Sequence, residues 1–511
     1  MSRVRKTLLN MRINLATYFV AILISFFTRK VFLDRLGDEF IGLTTTINSL
    51  LGFLNLAELG VAASIAYFLY RPIYDDDRSR ICQTLSIMGF LYRRIGLFIL
   101  GGGVLLSLLL PWVFSDANIP WGIIYYCFYV QLFASLLGYF VNYRANTLFA
   151  ADQRQYLVNG YFQLTQFVTV ILQAVIAYYT ASFALYITLS LLFAIVNSLI
   201  LNRKFKQVYP WVTTDQREGR EALTQRPEIL RYVRRVFIHQ IGKFVNVSAM
   251  PLVIYGYASL SMVTFYGNYT LINNKISSLI YSALNGTGAS VGNLIAEGNR
   301  THIYDCYREL YSIKFFVVIY LSLCLVRLCS PFIAVWLGAE YLLPSALVIL
   351  ICADFCLNLL RNTTDQYLDG YGLKADVWVP LCRIATLGVM VICGSLWGLI
   401  GILSVPVVFQ LLFMHLWKPF YLYRSGFQLP FGQYLRLLLA NLLPFVISFA
   451  AVELLLHAMG YGEMQPSTWG SFFAEAFLFA VPLLVISAPL AYLMCDGIRL
   501  FVRRTRRHQP A

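Results

Sequence analysis

The segment FYGNYTLINNKISSLIYSAL, Phe265 to Leu284, is apolar along most of its length, yet it places Lys275 beside Asn273 and Asn274 with no carboxylate close in sequence. Twenty helical residues rise about 30 Å, the thickness of a bilayer's hydrocarbon core. The segment therefore reads as a membrane span that carries a cation. Its opening also repeats an earlier stretch: FYGNYTLINNKI, from Phe265, aligns with FIGLTTTINSLL, from Phe40, at an offset of 225 residues. Identities fall at Phe40/Phe265, Gly42/Gly267, Thr45/Thr270, Ile47/Ile272 and Asn48/Asn273, followed by the apolar pairs Leu51/Ile276 and Leu54/Leu279. Further on, Pro111 and Pro331 each close a long apolar run at nearly the same offset.

Outward from this pair the chain keeps one character. Of its 511 residues 59% are hydrophobic and 13% charged, too apolar for the surface of a soluble protein of this size. Fourteen apolar runs predict spans over 14–33, 41–70, 88–114, 121–141, 157–179, 183–201, 236–258, 264–292, 311–333, 344–368, 377–394, 398–417, 437–457 and 471–495. Continuous runs of this length favour helices over a β-barrel, whose strands alternate. The class is all-α and polytopic. Six spans per repeat make the repeat parallel, and parallel halves place a transporter's path at their interface. The expected organisation is a first six-helix bundle over 1–201, a cytosolic linker over 202–235, a second bundle over 236–418, and two additional helices with a basic tail over 419–511.

Charge sets the orientation. With a cytosolic N-terminus, Lys and Arg outside the spans gather in cytosolic segments, whereas the opposite loops contribute Arg35. This is the positive-inside pattern, and it predicts both termini in the cytosol. It also accounts for the net charge of +15 and for the RRTRR tail, Arg503 to Arg507, which anionic lipid attracts at about 1 kcal/mol per base. Nucleic acid is not needed as a partner. The outer loops, such as 115–120, 180–182 and 334–343, are too short to house a catalytic domain. No Walker motif, glycine-rich phosphate loop or metal-spaced His, Cys or carboxylate cluster occurs, so no cofactor is implied. The ten cysteines are scattered without disulfide or metal spacing.

Bases inside spans carry the functional signal, because a cation at mid-span costs about 2.5–3.5 kcal/mol unless it meets water or a partner. Arg29, Lys30, Lys243, Lys275, Arg327, Arg361 and Arg383 fall in this group. Lys30 and Arg327 sit near outer ends, where snorkelling suffices. Arg361 has Asp365 four residues on and Asp354 seven back on one helix face, which offers a structural ion pair. Asn268, Lys275, Ser278, Ser282 and Asn285 form a polar stripe at helical spacing, with Asn274 beside it. A cationic cavity lined by Arg29, Lys243, Lys275 and Arg361 would suit a phosphate-bearing cargo, Arg through paired donors and Lys as a point charge. Asn268, Asn274, Ser278 and Asn285 would line it. Glu58, Asp354 and Asp365 are candidates for proton or sodium coupling.

Several stretches carry a family likeness: TRKVFLDRLGDEFIGL (Thr28 to Leu43), LNLAELGVAASIAYFLYRPI (Leu54 to Ile73), FLYRRIG (Phe90 to Gly96), NYRANTLFAADQRQY (Asn142 to Tyr156) and SVGNLIAEGN (Ser290 to Asn299). Together they resemble the polysaccharide biosynthesis flippases, which translocate lipid-linked oligosaccharides for O-antigen or capsule, of the multidrug/oligosaccharidyl-lipid/polysaccharide exporter superfamily. The resemblance implies two six-helix bundles around a V-shaped, alternating-access cavity, with Arg29 in the cavity. It implies a polyprenyl-diphosphate-linked cargo of the undecaprenyl type, with the last two spans, around FFAEAFLF (Phe472 to Phe479), grooved for the lipid tail. It further implies a bacterial inner membrane setting, polysaccharide polymerase machinery as a partner, and no enzymatic step. A multidrug or cation antiporter of the same superfamily is the alternative, and an excess of intramembrane bases speaks against it. A membrane glycosyl polymerase or ligase would need a larger outer loop than this chain offers.

Overall fold

A computed structural model of the chain describes residues 3–58, 60–152, 154–284, 287–373, 378–461 and 468–507. Among these residues there are helices and no strand. Contacts divide the chain into two compact units, Met1–Thr264 and Phe265–Ala511.

In the first unit, α1 (Arg3–Leu36) turns into α2 (Asp38–Leu54) at Gly37, whose φ of 78° suits glycine. α2 does not run on through its predicted span. It ends in a single 3-10 turn, Asn55–Glu58, and α3 (Val61–Tyr74) restarts after Gly60 at φ 90°. α4 (Arg78–Ser107) is N-capped by Asp77, whose carboxylate accepts from the Arg80 amide at 3.0 Å. The short α5 (Leu110–Val113) is followed by α6 (Trp121–Leu137), which passes through a π-helical turn, Gly138–Asn142, into α7 (Tyr143–Ala151). α8 (Tyr156–Thr180) and α9 (Phe183–Val208) form a hairpin, with Ser182 capping α9. α10 (Gln216–Gln225) and α11 (Pro227–Tyr257) complete the unit. α1 packs on α8, α6 on α9, and α11 on α2 and α3.

The predicted linker 202–235 is helical over most of its length, because α9 and α11 extend beyond their apolar stretches. α10 lies directly on α4. At Gly219 a Cβ would stand 2.2 Å from the Ser86 carbonyl oxygen, so only glycine permits this approach. The Asp215 amide donates to Ser86 Oγ at 3.1 Å beside it.

In the second unit, α12 (Leu260–Leu284) carries the opening segment, and α13 (Thr287–Ala296) follows. α14 (Arg300–Trp336), α15 (Ser345–Gly370) and α16 (Trp378–Phe409) come next. α16 is two helices joined at Gly398, whose φ of 58° and ψ of −141° are not helical. The apolar stretch Leu381–Phe427 has 47 residues, about 70 Å of helix, more than twice a membrane's core. It therefore makes two spans, as the runs 377–394 and 398–417 predict. Beyond α16 come a π-helix, Gln410–Trp417, then α17 (Lys418–Tyr421) and a second π-helix, Leu422–Phe427. α18 (Gly432–Ala458), α19 (Trp469–Met494) and α20 (Asp496–Arg507) close the chain. Val452, Leu456, Phe479 and Leu483 of α18 and α19 form a core against Tyr320 and Leu323 of α14.

Among the described residues nine helices are long and apolar enough to cross a membrane, the 47-residue double span counting once. The other predicted spans fall on α1, α11 and α12, which hold polar or basic residues, and on α2 and α3, which the break divides. The aligned positions of the two stretches compare as follows. Thr45 Oγ1 donates to the Ile41 carbonyl at 2.9 Å, and Thr270 Oγ1 to the Tyr266 carbonyl at 3.0 Å. Ile47 and Ile272 are both buried, whereas Asn48 is exposed and Asn273 is buried against the Ile351 carbonyl.

Candidate functional site

In the first unit the polar interior centres on the break in span 2. Discontinuous helices expose backbone ends inside a membrane, and transporters build binding sites there. Glu58 lies in the 3-10 turn and accepts a hydrogen bond from the Tyr92 hydroxyl of α4 at 2.5 Å. Asn55 Oδ1, one turn earlier, accepts from the Tyr139 hydroxyl at 3.0 Å and from Ser135 Oγ at 3.4 Å. Across the break, Gly60 touches backbone: a Cβ there would lie 2.8 Å from the Phe237 nitrogen of α11. Arg29, half-buried on α1, donates to the Thr264 carbonyl at 3.4 Å. Thr264 Oγ1 in turn donates to the Asp38 carbonyl at 2.7 Å. Lys243 is on α11, and its side chain lies outside the described residues.

In the second unit α15 is gripped on two faces. Asp354, Asn358, Arg361 and Asp365 follow one another at i, i+4, i+7 and i+11, a single stripe. Asn358 donates to Asp354 Oδ2 at 3.1 Å, and Arg361 Nε is 3.9 Å from Asp365 Oδ2. The segment after α16 covers this stripe. Gln410 Nε2 donates to Asp354 Oδ1 at 2.5 Å, Lys418 Nζ to Asp365 Oδ1 at 2.5 Å, and the His415 ring meets the Leu357 carbonyl at 3.0 Å. Both Gln410 and His415 belong to the π-helix, an irregularity common where helices carry function. Arg383 is buried with its guanidinium over the Phe409 ring, within electrostatic reach of Arg361, Asp354 and Asp365.

The neighbouring face of α15 meets α14. Lys314 is only 3% exposed, and its ammonium donates to Asn362 Oδ1 at 3.0 Å and Gln366 Oε1 at 3.1 Å. Around α15 the bases Lys314, Arg361, Arg383 and Lys418 thus outnumber the carboxylates Asp354 and Asp365. Neutral amides complete the shell, so the surroundings of α15 carry a surplus of bases.

The structure brings Arg361, Asp354 and Asp365 together, as their spacing on one helix suggests. The stripe on α12 is graded: Asn268 is 0% exposed, Lys275 half-buried, and Asn274 and Ser278 exposed. Ser278 Oγ donates to the Asn274 carbonyl at 2.9 Å. Asn285 and the side chain of Ser282 lie outside the described residues. Arg327 pairs with Glu453 at 3.4 Å. The sequence reading passes over Lys314 and Lys418 because each lies at or near the edge of its predicted span. Its readable signal is Asn362 and Gln366, two amides one turn apart in the last turns of the run 344–368.

No protein-family model and no curated protein matches the chain. Solved structures do share its fold. One is a lipid II flippase MurJ in an inward closed conformation, with a TM-score of 0.64 at 14% identity, covering 94% of this chain and 98% of that one. Another is an inward-facing multidrug resistance MATE family transporter of the MOP superfamily, with a TM-score of 0.53 at 16% identity, covering 78% of this chain and 93% of that one. The chain is therefore a polytopic helical membrane protein with the fold of that superfamily's transporters.

Proposed function

We propose that the protein is a flippase that moves a polyprenyl-diphosphate-linked oligosaccharide across the cytoplasmic membrane by alternating access, for cell-surface polysaccharide. The observation that carries this reading is the fold shared over nearly the whole length of both chains with a flippase of a lipid-linked substrate. The surplus of bases within the helices of the second unit supports an anionic cargo. Positive side chains fixed in a low-dielectric interior lower the cost of bringing a diphosphate through it. Arg29, Lys243, Lys275 and Arg361 are the residues assigned to that head group, with Asn268, Asn274, Ser278 and Asn285 beside them. No covalent bond is made or broken. Both termini lie in the cytosol, and Glu58, Asp354 or Asp365 couples movement to protons or sodium.

The test is leaflet accessibility of a labelled polyprenyl-diphosphate oligosaccharide in proteoliposomes. The parent protein should translocate it, and Lys275→Ala and Arg29→Ala should each slow translocation about tenfold or more, the cost of losing one charged contact of about 1.4 kcal/mol. No translocation by the parent would reject the function. Unchanged rates in both variants would reject only the site. The second reading is a multidrug antiporter, favoured by the MATE likeness and by the Glu58 carboxylate at the break in span 2. Proton-driven export of an organic cation by the same vesicles would establish it instead.

A further inference from the structure

The first unit carries an open apolar groove that the transport reading does not use. It has a volume of about 410 Å³ and lies between α1 and α8, lined by Leu23, Phe27 and Val31 on one side and Ile171, Val175 and Tyr178 on the other. Phe27 and Ile171 are exposed, so the groove opens sideways rather than into the packed interior. At one end it changes character. Arg35 lays its guanidinium over the Tyr178 ring at 4.4 Å, and Tyr179 beside it is 79% exposed. Tyrosines placed this way mark the head-group level of a bilayer.

Two features identify the occupant. The first is length: from Leu23 to Arg35 the helix rises about 18 Å, close to the roughly 15 Å of one leaflet's hydrocarbon. A chain seated here therefore spans a single leaflet, as an ordinary acyl chain does and a long polyprenyl chain does not. The second is charge at the mouth. Asp34 and Arg35 continue the arc of α1 that Leu23, Phe27 and Val31 define, and both are exposed. A neighbouring carboxylate and guanidinium match a phosphate next to an ammonium. A purely anionic head group would meet Asp34 as a like charge.

We infer that the α1/α8 groove is a binding site for a zwitterionic phospholipid of the phosphoethanolamine type, with an acyl chain along Leu23 to Val175, phosphate on Arg35 and ammonium at Asp34. This lipid is a resident of the fold, distinct from the transported molecule. Binding would hold α1 against α8 where Thr28 and Ala174 are already buried, and it would not depend on the flippase reading.

The experiment uses the full-length protein in nanodiscs doped with phospholipid probes bearing a photoreactive group in the acyl chain, with the labelled peptides identified by mass spectrometry. The phosphoethanolamine probe should label α1 and α8 at least about fivefold more than a phosphoglycerol probe, equivalent to about 1 kcal/mol. Val175→Trp, which fills the groove from an exposed position, should remove that labelling. Asp34→Asn should abolish the preference between head groups while leaving labelling by both probes. Equal labelling by the two probes in the parent, labelling unchanged by Val175→Trp, or stronger labelling by a polyprenyl-phosphate probe would each overturn the assignment. None of these readouts requires transport, so failure here is separable from failure of the proposed function.

Discussion

At the scale of single residues, the interior of the second unit is held by charges that reach across helices. Lys418 and Asp365 pair at 2.5 Å, with side chains 15% and 30% exposed. Removing one partner of such a pair leaves the other desolvated, which costs more than the pair itself contributes. Lys418→Met should therefore destabilise the protein by about 1–3 kcal/mol. Lys418→Met combined with Asp365→Asn should recover part of that loss, because the carboxylate that needs a counter-charge has gone. Arg361, at 3.9 Å from Asp365, keeps the single variant from failing outright. Thermal unfolding in detergent of the two single variants and the double variant measures the coupling. Strictly additive losses would show that the pair is not coupled. Lys314 offers a contrast, since its ammonium donates to the neutral amide oxygens of Asn362 and Gln366.

At the scale of elements, irregularities rather than helices define the candidate sites. The break in span 2 depends on Gly60, which combines φ 90° with an approach to α11 that leaves no space for a Cβ. Gly60→Ala should cost more than about 1 kcal/mol from backbone strain alone, with further loss because α11 must shift. Gly101 of α4 is the matched control. Nothing lies within 4 Å of its Cβ position, and Gly101→Ala should be neutral or stabilising by up to about 1 kcal/mol. Folded yield and thermal midpoint compare the two. Equal tolerance of both changes would show that the break is not fixed by this contact. Sequence reading finds the spans because burial in lipid is written locally, as uninterrupted apolar runs. It also finds the Arg361 and Asp365 pair, four residues apart. It misses the break at Gly60, whose cause is a backbone on another helix, and it misses the Gln410 and Lys314 contacts, whose partners lie 56 and 48 residues away. The docking of α10 at Gly219 escapes for the same reason, since composition alone makes 202–235 look like a tether.

At the scale of the whole molecule, each unit has one end rich in bases. In the first, α10 and the start of α4 gather Arg78, Arg93 and Arg226: Arg93 donates to Gln216, Arg226 to Gln83, and Arg78 stacks on Trp211. In the second, α20 lies along the start of α14, where Arg308 meets Asp305 and Asp496, and Arg504 meets Glu309. These contacts tie the C-terminal helix to the end of α14 that begins at Arg300. Ion pairs within these clusters do not cancel the excess, because the tail adds Arg503, Arg506 and Arg507. Basic segments resist translocation, so the proposed orientation has both clusters on the cytosolic side. The opposite end of the first unit contrasts with this: Glu39 accepts from the Asn118 amide and side chain, and Arg35 is the base that stands there. A fluorescent protein fused after Ala511 should therefore fluoresce, and alkaline phosphatase at the same site should be inactive. Phosphatase inserted between Thr180 and Ser182, in the turn joining α8 to α9, should be active. Reversed activities at both sites would overturn the proposed orientation.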